Sequence, residues 1–183
     1  KYIKFLDADD VIISSTTSIL LDILEKNKNA VISYGLQRKV GDISKVDIFQ
    51  KVKITESNRI EEPTKLAMTN SMFNPSQFLA KRQACQIVGG CDERIIFSQE
   101  YSLTLRLAKL GGFIRLNHPI AILPLEAPGQ ISEKKNNQIF RVSKALEFFI
   151  KENNDLNYSD KLFAQRRLTA RAWRFSKKVE IGK

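Results

Sequence analysis

The chain opens KYIKFLDADDVI, a short apolar, strand-forming run that stops at Asp7, Asp9 and Asp10. This abrupt change of character constrains the fold more than any other feature. The reading is a buried strand from Tyr2 to Leu6, an acidic turn, then a helix from Thr16 to Lys28 with Ile19, Leu20, Ile23 and Leu24 on one face. A second strand, AVISYGL, follows from Ala30, and strand, turn, helix, strand is the βαβ unit of a parallel sheet. Ligands of open α/β sheets bind beyond the carboxyl ends of strands, which is where these acids sit.

A turn cap accounts for one of the three acids, with Ser14, Ser15 or Thr16 capping the helix behind it. It leaves two like charges without a counter-ion, an arrangement that disfavours ionisation. A calcium loop of the EF-hand kind needs Gly and Glu where Ile12 and Ser18 stand, so that reading fails. A hard divalent cation, Mn2+ or Mg2+, accounts for the cluster better, because it takes oxygen ligands and is commonly held by one or two carboxylates plus substrate phosphates.

Farther along, residues 37 to 60 alternate charged and β-branched residues and read as exposed or edge strands, before a short helix near Pro63. SQFLAKR reads as a strand, RQACQIV as a short helix and GGCDE as a tight turn. The helix in QEYSLTLRLAKLGG is the clearest: Tyr101, Leu105 and Ala108, with Leu103, Leu107 and Leu110 beside them, make an apolar face, and Gly111 and Gly112 end it. Two short strands, FIRL and AILPL, a loop EAPGQIS, and helices over about 137–152 and 158–178 complete the chain.

Two enzyme families write an acidic loop of this form. FLDADDV fits the first motif of haloacid-dehalogenase-like phosphatases, which would make Asp7 a nucleophile and Asp9 an acid/base. FLDADD also resembles the DxD motif of glycosyltransferases with the GT-A fold, family 2 in particular. A second block separates the two. VGGCDERIIFSQEYSLTLRLAKLGG resembles the family 2 pattern of a Gly-Gly-Phe-Asp-Glu turn followed by Glu-Asp or Gln-Asp, opening a helix that ends in Arg-Leu and a glycine. The matching positions are Gly89, Gly90, Cys91, Asp92 and Glu93, then Gln99 and Glu100, then Leu103, Leu105, Arg106, Leu107 and Gly111. The resemblance extends through APGQIS and so spans about residues 1–132.

This resemblance implies an α/β chain with a partial GT-A fold, a mixed sheet flanked by helices and C-terminal helices. Residues 1–135 would be the DxD-containing, acceptor-side part, and 136–183 a basic helical extension. The implied chemistry is metal-dependent, inverting transfer of a sugar from a nucleotide-diphospho-sugar donor to a glycan or lipid-linked acceptor. By the same carry-over Glu100 is the catalytic base, standing where the family commonly has Asp. Asp9 is the metal ligand, and Asp7 contacts the nucleotide ribose, the metal or its water. Gln99, Asp92 and Glu93 position sugar or acceptor, although an Asp-Glu turn before a helix is equally a structural device. Arg106 is expected as a structural ion-pair partner. Ala127 stands where family members often place a metal-binding His, and His118 reads as a turn residue. Only six residues precede Asp7, so the part of the family fold that holds the nucleotide base is expected to lie outside this chain, leaving the isolated chain with little donor affinity.

Composition narrows the partners. Cys85 and Cys91 match no zinc or redox spacing and read as reduced thiols. No apolar run approaches the length of a membrane span, so a soluble, cytosolic protein is expected. Most of the formal net charge of +10 sits in the last helix and its tail, where Lys161, Arg166, Arg167, Arg171, Arg174, Lys177, Lys178 and Lys183 face a single acid, Glu180. No nucleic-acid recognition pattern accompanies it. Ala164, Leu168, Ala172, Phe175 and Val179 form one apolar stripe of that helix, which either docks on the domain or lies peripherally on an anionic membrane.

Overall fold

A computed structural model describes the chain apart from residues 51, 53–55, 97, 126–134 and 182–183, and apart from the side chains of 135–139 and 178–181. The strands are β1 (Tyr2–Lys4), β2 (Val11–Ile12), β3 (Ala30–Val40), β4 (Ser57–Ile60), β5 (Phe78–Lys81) and β6 (Gly112–Pro124). The helices are α1 (Thr16–Lys26), α2 (Thr64–Thr69), α3 (Arg82–Ile87), α4 (Gln99–Leu107), α5 (Lys135–Glu152) and α6 (Tyr158–Ile181).

The strands form one mixed sheet in the order β1-β5-β3-β6-β2, with β4 also paired to β6. β3 and β6 run parallel, and the other pairs are antiparallel. The βαβ expectation therefore holds in direction but not in adjacency: β1 and β3 point the same way, and β5 is inserted antiparallel between them. A crossover helix tells the chain to return in the same direction, but it does not say which later strand fills the gap.

Where two strands were expected, FIRL and AILPL are parts of the single strand β6. Its first half pairs with β4, its second half with β2, and β3 runs along the other side. The pairing with β3 shifts register around Leu36, where a Cβ on Gly35 would come within 2.6 Å of the Ile120 side chain and 2.9 Å of the His118 carbonyl oxygen. Only glycine permits that approach, and the irregularity lets the strand continue through Asn117–Pro119. His118 is thus a strand residue, not a turn residue. In the 37–60 stretch, Gln37–Val40 prolong β3 and Ser57–Ile60 form β4, while Val46–Gln50 are not strand; residues 51 and 53–55 lie outside the described residues.

Side chains alternate across the sheet as the two-residue period requires. Ile32, Tyr34, Phe78, Ala80 and Phe113 face the main core with α4, α5 and the first half of α6, through Tyr101, Leu103, Leu105, Ala145, Leu146, Phe149 and Ala164. Leu79, Ile114 and Leu116 face the other way, onto Leu20 and Leu24 of α1. Ser33 sits on that second face and donates to the Leu20 carbonyl at 2.8 Å. None of the expected side-chain caps of α1 forms: Ser15 at the N-cap makes no side-chain bond, and Thr16 Oγ1 donates back to the Ile13 carbonyl at 2.6 Å.

Candidate active site

The buried strand expected from Tyr2 to Leu6 is a half-buried strand at the edge of the sheet order that ends at Lys4; the chain leaves the sheet at Phe5, whose ring packs on Phe78 at 5.1 Å, and Leu6 is exposed. The acidic turn that follows closes with the Asp10 amide donating to the Asp7 carbonyl at 3.1 Å. Asp7 and Asp9 are exposed and Asp10 is half-buried, with its Oδ2 buried and without a hydrogen-bond partner. Burial first, and the neighbouring Asp9 charge second, raise the Asp7 carboxyl above the usual aspartate range. Asp10 is raised too, chiefly by burial, with the Ser76 hydroxyl working against the shift.

Lys4 supplies a lysine ammonium held against this loop. It is half-buried, and its Nζ donates to the carbonyls of Ser76 at 2.5 Å and Phe5 at 3.2 Å. Burial lowers its pKa to about 8, while Asp10 and Asp7 pull it back up. Ser76 is fully buried, and its Oγ accepts the Asp7 amide at 3.0 Å. Neither residue was singled out in the sequence. A lysine in the apolar run YIKF was a signal for Lys4; nothing in the local pattern marks Ser76.

Glu100 comes from the other block. It lies half-buried in the first turn of α4, where the helix dipole favours a carboxylate. Burial is the largest cause raising its pKa, and the Asp7 charge adds to it. The charge of Asp7 thus reaches Glu100, and the acidic loop and the start of α4 share one electrostatic neighbourhood. Ser98, just ahead, adopts a left-handed conformation (φ 62°, ψ 37°), and its carbonyl accepts from the Tyr101 amide at 3.1 Å. A non-glycine residue held there costs about 1 kcal/mol or more, and such strain concentrates at functional sites. Gln99 is exposed on the first position of α4.

The Gly-Gly turn is structural in its details. Gly89 and Gly90 have φ of 76° and 71°, and Arg106 Nη1 donates to the Val88 carbonyl just before them. Arg106 Nε donates within the helix to the Ser102 carbonyl at 3.3 Å, so it is the Nη1 bond to Val88 that fastens α4 to the turn, and among the described residues Arg106 makes no ion pair of the kind expected of it. Asp92 is held by Arg94, which donates from Nε at 2.8 Å and Nη2 at 2.7 Å and also reaches Glu152 of α5 at 2.7 Å. That grip keeps the Asp92 carboxyl below the usual range. Glu93 is exposed. Cys85 is buried, Cys91 is exposed near Glu100 and Arg106, and both are free thiols. Ala127 and the APGQIS loop lie outside the described residues.

Among the described residues no group of three or more His, Cys, Asp and Glu side chains is arranged to hold a metal ion. What the loop offers is two exposed carboxylates, Asp7 and Asp9, whose repulsion at Asp7 the nearby Lys4 charge offsets only in part. That donor set fits Mg2+ or Mn2+, which completes its shell with water and phosphate oxygens.

The last helix answers its own question in part. Ala164 is fully buried and Leu168 packs against the core, so the first half of the apolar stripe is docked. Arg171 is only 4% exposed; it donates to Tyr101 Oη at 3.0 Å and to the carbonyls of Val142, Met68 and Thr69. Arg167 donates to the Thr69 carbonyl as well. From Ala172 to Lys177 every residue is exposed, Trp173 among them, and Val179 lies outside the described side chains. No helix among the described residues is long and apolar enough to cross a membrane.

No protein-family model matches the chain, and no curated protein does. Its fold is similar to the crystal structure of S. aureus TarS 1-349, a glycosyltransferase, with a TM-score of 0.56 at 14% identity. The likeness covers 97% of this chain and 48% of that one, so the chain spans about half the length of the structure it matches. At that identity the likeness is one of fold: an α/β chain with a mixed sheet flanked by helices, as in a glycosyltransferase.

Proposed function

We propose that this chain carries the cation-binding and base-bearing part of an inverting glycosyltransferase that takes a nucleotide-diphospho-sugar donor and a glycan or lipid-linked acceptor. The observation that supports the reading is the effect of the Asp7 charge on Glu100, two residues far apart in sequence. The fold likeness to a glycosyltransferase supports it over phosphate-ester hydrolysis with Asp7 as nucleophile.

Asp9 and Asp7 would hold Mn2+ or Mg2+, which when bound supplies positive charge to a departing diphosphate. Glu100 takes the proton from the acceptor hydroxyl as that oxygen bonds to the anomeric carbon and the bond to the diphosphate breaks. Its raised pKa improves it as a base: a carboxylate destabilised by burial holds a transferred proton better than an exposed one does. Lys4 ties the start of the loop to Ser76, and the exposed Gln99 and Glu93 are the residues we assign to positioning sugar or acceptor. Asp92, committed to Arg94, shapes the turn that carries Glu93. The exposed outer end of α6, with Trp173, Arg174 and Lys177, is the element we assign to peripheral contact with an anionic membrane surface; flotation of the chain independent of anionic lipid would count against that assignment.

The test uses the longest natural form of the protein that contains these residues. Release of nucleoside diphosphate from a nucleotide-diphospho-sugar should depend on Mn2+ or Mg2+ and fall about a hundredfold or more in Asp9→Ala and in Glu100→Ala. Phosphate release from a monoester that depends on Asp7 would overturn the reading.

A further inference from the structure

The acidic loop is held by more than its own Asp10-to-Asp7 bond. Its amide at Asp7 is satisfied by Ser76, which comes from the NPSQ stretch that precedes β5. That stretch is a rigid turn by construction. Pro75 fixes the backbone at its start, and the Asn74 amide donates to Gln77 Oε1 at 2.8 Å. Gln77 Nε2 donates to the Gly35 carbonyl at 2.9 Å and Asn74 Nδ2 to Gln37 Oε1 at 2.8 Å, so the turn is pinned to β3 by two further bonds. Its remaining side, the fully buried Ser76, meets the loop twice: Oγ accepts the Asp7 amide, and the carbonyl accepts Lys4 Nζ.

The three acids respond differently to this contact. Asp7 and Asp9 are exposed, whereas Asp10 is drawn in beside the Ser76 hydroxyl with one oxygen buried. Three spaced acids need not be three ligands; here one carboxylate faces the serine and two face outward.

We propose that Ser76 is a positioning residue for the acidic loop, holding the backbone at Asp7 so that Asp7 and Asp9 present their carboxylates outward together while Asp10 stays turned inward and is not a cation ligand. The cation part of this statement rests on the function proposed above; the loop-holding part does not. The experiment therefore has two arms on the 183-residue chain: amide hydrogen exchange at Asp7, and calorimetric Mn2+ affinity.

Ser76→Ala should speed exchange of the Asp7 amide about tenfold, the worth of one hydrogen bond, and weaken Mn2+ binding by about threefold to tenfold. Asp10→Asn, which removes the charge and keeps a hydrogen-bond acceptor, should leave Mn2+ affinity within about twofold, whereas Asp9→Asn should abolish it. Tyr101→Phe, a destabilising change away from the loop, should leave Mn2+ affinity unmoved, which separates positioning from general loss of stability. Unchanged Asp7 exchange in Ser76→Ala overturns the proposal, and so does loss of Mn2+ binding in Asp10→Asn. If the unmodified chain binds no Mn2+, the cation reading above fails, and the exchange arm by itself decides whether Ser76 holds the loop.

Discussion

Lys4 and Arg171 are two cations taken out of water in opposite ways. Lys4 is half-buried beside carboxylates, its charge weakened by burial, next to a loop that keeps two acids exposed. Arg171 is buried deeper, and its acceptors are carbonyls of α2 and α5 and the Tyr101 hydroxyl. The first cation sits in a region with unspent charge; the second spends both of its terminal guanidinium nitrogens on buried or half-buried acceptors. The difference separates a site, where polar groups are left available, from a scaffold joint, where they are consumed.

The largest effect that sharpens this contrast is at Arg171. Arg171→Met removes bonds to buried carbonyls and should cost about 3 kcal/mol in chemical denaturation, through acceptors left unsatisfied in the core. Asp9→Ala, on an exposed carboxylate, should stay within about 0.5 kcal/mol of the parent chain while it removes activity. A cost below about 1 kcal/mol for Arg171→Met would mean that α6 is not a joint at all.

The effect of Lys4 is a matter of pH. Its folded pKa of about 8 lies below the value of 10.5 for an unperturbed lysine. Between the two the unfolded chain binds more protons than the folded one, so this lysine makes the fold more stable as pH rises through that window. Denaturant midpoints from pH 7.5 to 10.5, taken as ~pH limits from that linkage, should show the rise in the parent chain and a smaller one in Lys4→Gln. Equal slopes would remove Lys4 from the account. Smaller again is Tyr101→Phe, which loses the bond to the Met68 carbonyl and the one from Arg171 and should cost about 1 to 2 kcal/mol in the same denaturation.

Much of this was legible in the residues because it is local. The two glycines with positive φ and the apolar face of α4 at Tyr101, Leu103, Leu105 and Leu107 are properties of neighbouring positions and stand as expected, whereas the ends of elements shift: β1 stops at Lys4 and α4 at Leu107, before the exposed Leu110. What was not legible is non-local. β5 enters the sheet between β1 and β3 because of pairing that no window of sequence contains. β6 passes through Asn117–Pro119 unbroken because Gly35, on another strand, makes room for it. The arginines of α6 read as a charged surface, yet Arg171 points inward because the carbonyls that end α2 need donors there. Ser76 is an ordinary serine until the loop folds over it.

The central claim is that the acidic loop and Glu100 form one site, and the most direct measurement is the carboxyl titration of Glu100 by NMR in the parent chain and in Asp7→Asn. Glu100 should titrate above the usual glutamate range in the parent, held there first by burial and then by the Asp7 charge. Since a base must be ionised to accept a proton, activity should be lost as pH falls through that raised value, and stability should decline as pH rises through it, because ionising the buried group opposes folding. In Asp7→Asn the titration should move down toward the ordinary value while staying above it, since burial remains. A Glu100 titration that does not respond to removal of the Asp7 charge would contradict the account.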